Sequence, residues 1–279
     1  MMTWWYAFID LILPFQWTES MFMKNALFAV LLVTPLFGLL GTMVVSNRMA
    51  FFSDSIGHGA FTGIALGTLV SGIKPIWGAL VFSLIFAIVI SFIKQKSKAS
   101  TDTVIGVFSS TAVALGLVVL SFGGSFNSFS SFLVGDLLSI NATELMLLVL
   151  VFVSVVVLWI LILNKLLLIS ISPSLAASRG VNTFLIETLF TCAIALVVTI
   201  TIQWVGLLII NSLLVLPAAA ARNITKNVRQ YHFVSVAIAL FSGVTGLIAS
   251  YQFNTSTGAT IVLVSAVIFF GTLFWRRGR

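Results

Sequence analysis

Apolar residues dominate this chain in runs of about twenty, separated by short clusters of Ser, Gly, Pro and basic residues. Nine such runs stand out, at about 22–45, 51–71, 75–93, 103–121, 143–169, 184–202, 205–220, 233–250 and 257–275. A bilayer core is crossed by roughly 20 apolar residues in a helix, so each run is read as a spanning helix. The seventh is short, which predicts tilted or distorted helices. One connection breaks the pattern: SFGGSFNSFSSFLVGDLLSI, residues 121–140, is too rich in Gly and Ser for a regular span and too apolar for a solvated loop. It predicts a short re-entrant or surface helix packed against protein, where irregular backbone is tolerated at membrane depth. The N-terminal MMTWWYAFIDLILPFQW lacks a basic start and is interrupted by Asp10, so it does not read as a signal peptide. It predicts an interfacial amphipathic segment over 1–20, anchored by Trp4, Trp5 and Trp17; if it crossed, it would be a tenth span. The expected fold is an all-α polytopic integral membrane protein of about nine helices (eight to ten), forming a single transmembrane domain over 1–279.

Composition makes the membrane reading firm: 60% of the 279 residues are hydrophobic and 8% are charged, against roughly 25% charged in soluble domains. The net charge of +7 does not indicate nucleic acid, because the basic residues fall in short clusters between spans. Arg48; Lys94, Lys96 and Lys98; Lys165 and Arg179; Arg222, Lys226 and Arg229; and Arg276, Arg277 and Arg279 occupy alternate connections, leaving only Lys24 and Lys74 on the other side. Twelve against two places the first set in the cytoplasm, the N-terminus outside and the C-terminus inside. The single Cys192 excludes an internal disulfide and a thiolate cluster within one chain.

Against this apolar background, Asp54 and His58 lie four residues apart inside the second run, MAFFSDSIGHGAFTGIALGTLVS. On a helix they stack on one row, continued by Thr62, while Ser55, Gly59, Gly63 and Gly67 form an all-small row beside it. An ionisable group in a span is costly and reads as functional; the plainer reading, Asp54 as a helix cap, explains only one of the pair. Asp136 could attract a cation but reads better as a capping acid. In the seventh run Pro217 breaks a helix hydrogen bond, and Asn211 and Ser212 either line a pathway or bond across helices. The inner stretch 171–187 predicts a short crosswise helix opened by Pro173, capped by Ser172 or Ser174 and ended by Gly180, suited to docking a soluble partner. No phosphate-binding loop, H-E-x-x-H, paired zinc-finger cysteines or G-x-S-x-G occurs, and only Asp54 of the four aspartates is embedded, which excludes an aspartyl dyad.

What remains is cation handling. Imidazole plus carboxylate suits Zn²⁺, Mn²⁺ or Fe²⁺. Two ligands do not close a site, but two chains about a two-fold axis would supply four, with the small row permitting close approach.

Taken together, NRMAFFSDSIGHGAFTGIALG, DTVIGVFSSTAVALGLVVLS, FLVGDLL, PSLAASRGVN and GLLIINSLLVLPAAAARNIT, in that order, resemble the membrane permeases of bacterial ATP-binding-cassette importers for manganese, zinc or iron, of type II architecture. The likeness runs from about Leu13 to Phe274. It implies a homodimer in the bacterial inner membrane, two cytoplasmic ATP-binding subunits that carry the hydrolysis, and an outer metal-binding protein that delivers the ion. It also implies Asp54 and His58 as the metal ligands and Pro173 to Asn182 as the coupling helix, with Pro173, Ser174, Ala177, Arg179 and Gly180 at the ATPase contact. Membrane lipid is the other expected partner; no permanently bound cofactor is expected, only the transported divalent metal. Two departures stand out: Gly57 and Gly59 flank His58, which would loosen the helix, and Phe61 stands where some members carry Pro, which places zinc ahead of manganese and then iron. The alternatives are a proton-coupled secondary transporter using Asp54 and His58 as a relay, and a non-transporting scaffold.

Overall fold

The computed structural model describes residues 3–12, 20–69, 74–123, 132 and 135–277. Its regular elements are helical: α1 (Thr3–Ile12), α2 (Met21–Ser46), α3 (Phe52–Leu69), α4 (Pro75–Lys96), α5 (Thr101–Gly123), a 3₁₀ turn (Leu137–Ser139), α6 (Ala142–Ile171), α7 (Pro173–Ser178), α8 (Thr183–Val205), α9 (Leu207–Ile224), α10 (Val228–Phe253) and α11 (Thr257–Arg277). Among the described residues, nine long helices occupy the nine expected runs, and seven of the helices are long and apolar enough to cross a membrane. The two outside that set are α3, diluted by Asp, His, Ser and Gly, and α9, whose apolar part is shorter. α6, at 30 residues, is about 45 Å long. That exceeds a hydrocarbon core of about 30 Å, so it tilts or projects beyond it.

Turn chemistry sets the ends. Asn141 and Glu144 form a reciprocal capping box at the start of α6, and Ser172 caps α7 through Leu175 N–H at 3.3 Å. Asn182 caps α8 by accepting from Leu185 N–H at 3.0 Å. A single residue, Gly206, separates α8 from α9; its φ of +88° is open to glycine and lets one residue break the helix.

α2 and α8 form the centre. α2 is covered by α6, α9 and α10, and α8 by α4, α3 and α6; α3 lies between α4 and α5. The outer helices turn large apolar side chains outward, including Leu150, Ile160, Leu263 and Val267 at 66–72% exposure. Such faces are suited to lipid and unsuited to water.

At the N-terminus, α1 spans 10 residues, about 15 Å. Trp5 is no surface anchor: it is 6% exposed and its indole N–H donates to Lys24 carbonyl at 3.1 Å. α1 thus docks on the start of α2, where the buried Lys24 ammonium meets Asp10 at 2.6 Å. The Trp4 side chain and Trp17 lie outside the described residues, as does half of 121–140. Of that connection, Asp136 caps the 3₁₀ turn by accepting from Leu138 N–H at 3.1 Å, in line with the capping reading.

Candidate metal site

The first turn of α3 carries Asp54, where a carboxylate is favoured by the helix dipole. One turn on, His58 Nε2 faces Asp54 Oδ2 at 3.6 Å. That is too long for a strong hydrogen bond, so the lone pairs of the two groups stay available to a third partner. Their side chains are 25% (His58) and 38% (Asp54) exposed, on a helix otherwise largely enclosed. The pair opens onto a flank of the chain instead of into its core. Among the described residues no group of three or more His, Cys, Asp or Glu gathers, so this chain brings two such donors to the position.

The neighbouring residues explain why the pair stands where it does. Ser53, preceding Asp54, is 1% exposed and donates to Asn211 Oδ1 of α9 at 2.7 Å. Asn211 therefore bonds across helices, one of the two roles open to it, and ties the start of α3 to α9. Ser212 is half-buried on the same helix. Thr62, expected to continue the ligand row towards a pathway, is fully buried; its hydroxyl donates to Ala112 carbonyl of α5 at 2.6 Å and to His58 carbonyl at 3.0 Å.

The small row is occupied within the chain. A Cβ on Gly63 would lie 2.7 Å from Ala79 Cα, one on Gly67 3.3 Å from Pro75 Cα, and one on Gly59 2.9 Å from the Phe86 ring, all of α4. Ser55 is buried and faces Ile105 carbonyl of α5 at 3.5 Å. Within the chain, this row is taken up by α4 and α5. The flanking glycines do not loosen the site: a Cβ at Gly57 would run into Leu207 Cδ1 of α9, as one at Gly59 would into Phe86. His58 is clamped between two close approaches.

In the connection between α6 and α8, α7 is a six-residue helix opened by Pro173. Ala176 is buried and anchors it, while Pro173, Ser174, Ala177, Arg179 and Gly180 are exposed. Gly180, at φ +75°, ends the turn. Sequence reasoning missed the Ser53–Asn211 bond, Leu207 over Gly57, and an ion pair between Lys94 of α4 and Glu187 of α8 at 3.2 Å. The available signal for the last was the scarcity of acids: seven in the chain, one of them just inside the sixth apolar run.

With the geometry in place, comparison with known proteins decides the family. The model of the ABC 3 transport family matches residues 19–276. The chain belongs to that family. Within the ABC 3 family it is similar to the manganese import system permease protein ScaB of Streptococcus gordonii, at 30% identity over 91% of each chain. It is similar to the high-affinity zinc uptake system membrane protein ZnuB of Haemophilus influenzae, at 32% identity over 85% of this chain and 91% of the other. Among solved structures it resembles PsaBC from Streptococcus pneumoniae in complex with Fab, with a TM-score of 0.80 and 28% identity over 96% of this chain and 94% of that one. As an ABC 3 member it is a multi-pass membrane permease subunit, with ATP hydrolysis on a separate subunit. The proton-coupled alternative is not favoured.

Proposed function

We propose that this permease imports a divalent metal, with Asp54 and His58 as its ligands in transit. The observation that carries the reading is the open Asp54–His58 pair. Two donors each about 2.1 Å from a tetrahedral cation are about 3.4 Å apart; Nε2 and Oδ2 stand 3.6 Å apart without a direct hydrogen bond. Relatives named for manganese and for zinc, at 30% and 32% identity, support a divalent cargo and do not separate the two metals. Phe61, standing where some members carry Pro, keeps zinc first, then manganese and iron, in this reading.

Two ligands suit release, and a homodimer completes four-coordination at a shared axis. Because α4 fills the small row, the second copy approaches on the flank where Asp54 and His58 are open. α7 is the coupling element for a cytoplasmic ATP-binding subunit, through Pro173, Ser174, Ala177, Arg179 and Gly180. An outer metal-binding protein delivers the ion. The chain lies in a bacterial cytoplasmic membrane, N-terminus outside and C-terminus inside, as its charge asymmetry supports.

The deciding experiment measures cellular Zn, Mn and Fe for the unsubstituted protein, Asp54→Ala and His58→Ala, with partner subunits present and membrane expression matched. One metal falling in both variants is expected. Unchanged content of all three would remove the site assignment.

A further inference from the structure

α4 and α8 are joined near the α7 end by three polar contacts that the transport reading leaves unused. Gln95 Nε2 donates to Thr183 Oγ1 at 3.4 Å, Lys94 Nζ meets Glu187 Oε2 at 3.2 Å, and Ser91 Oγ lies 2.8 Å from Thr191 Oγ1. On α8 these residues, 183, 187 and 191, stand at successive four-residue steps, so they form one row along a single face. The row begins at the first residue of α8, five residues past the last of α7. Lys94 and Glu187 keep only 20% and 21% of their side chains exposed, and Ser91 and Thr191 are buried. A small cavity of about 10 Å³ sits beside them, lined by Asn47, Met49, Ser91, Lys94, Glu187 and Thr191 among others, with room for about one water. Lys94 Nζ also reaches Met49 Sδ, in the link into α3, at 3.9 Å.

Beyond the row, α4 continues into the close backbone contact with α3 at Gly63 and Gly67. The path is therefore continuous: α7, the short turn to α8, the polar row, α4, and the helix that carries Asp54 and His58.

We infer that the Lys94–Glu187 pair, supported by Ser91–Thr191, is a latch through which displacement of α7 is transmitted to the metal helix. Apolar packing alone would let α8 slide along α4. A charged pair with a hydroxyl pair one turn deeper fixes their register, because sliding leaves half-buried polar groups unpaired. Lys94 and Glu187 are positioning residues and touch no metal. The inference rests on the transport reading above, since it presumes that α7 is moved by an ATPase and that α3 holds the cargo.

The test is the complete transporter in proteoliposomes, with ATP hydrolysis and ⁶⁵Zn²⁺ uptake recorded in the same vesicles for Lys94→Met, Glu187→Gln and the exchanged pair Lys94→Glu with Glu187→Lys. The single variants are expected to keep ATP hydrolysis while uptake per ATP falls at least about fivefold, the low end of ordinary coupling between sites. The exchanged pair is expected to recover most of the loss, which a merely misfolded subunit would not. Uptake per ATP that stays constant, whether both activities fall together or neither changes, overturns the latch. Absence of ATP-driven uptake by the unsubstituted complex overturns the transport reading, and the latch with it.

Discussion

A carboxylate and an imidazole one helical turn apart can share a cation only if neither is turned into the protein, and the residues beside them decide that. Gly57 and Gly59 admit Leu207 and Phe86 on either side of His58, and Gly63 admits the backbone of α4. Gly63→Ala would set a Cβ 2.7 Å from Ala79 Cα, which only a backbone shift relieves. A loss of about 1–3 kcal/mol is expected, read as a lower unfolding temperature in detergent. Gly106→Ala on α5 is the control: nothing lies within 4 Å of its added methyl. Removing a helical glycine there should leave stability unchanged or raise it by up to about 1 kcal/mol. Equal destabilisation by the two would mean that α4 does not set the limit. Calorimetric titration with Zn²⁺ should show weaker binding by His58→Ala than by the unsubstituted protein; equal affinities would count against His58 as a ligand.

Helices place these residues through a few specific bonds, and those are the part that sequence periodicity hides. All nine long helices were legible because a run of apolar residues long enough to span has no stable alternative to a helix in lipid. Short-range capping was legible too: Pro173, Ser172 and Gly180 define α7 through interactions confined to a few neighbouring residues. Asp54 and His58 were found because the 3.6-residue period puts them on one face. Partners distant in sequence were not legible. Ser53 and Asn211 are 158 positions apart, and Lys94 and Glu187 are 93 apart. Whether the small row faced α4 or a second copy could not be read from its spacing either, since both would use the same residues. Asn211→Ala tests the first of these bonds. It leaves the buried Ser53 hydroxyl without its acceptor and frees the turn bearing Asp54; metal affinity should fall by about 10- to 100-fold, as for other groups that orient a ligand. Ser53→Ala in the same background should add little, and an additive loss would show that the two residues act independently.

The whole molecule has one open pair and no third or fourth His, Cys, Asp or Glu beside it among the described residues. A cation held in transit by a single copy would keep most of its water, whereas two copies meeting at α3 would supply two carboxylates and two imidazoles. The two cases differ in stoichiometry. Shared coordination predicts one Zn²⁺ per two chains at saturation, measured on purified permease by metal analysis; a separate site in each copy predicts one per chain. They differ in proximity as well. With Cys192→Ser removing the only natural thiol, a His58→Cys substitution should give a covalent dimer on mild oxidation, and Zn²⁺ should slow its formation by occupying the thiolates. Leu263→Cys, on the lipid-facing side of α11 at 66% exposure, should give none under the same conditions. Dimers from Leu263→Cys with none from His58→Cys would move the contact to α11 and leave Asp54 and His58 facing lipid. That placement is costly for a carboxylate and would remove the physical case for the shared site.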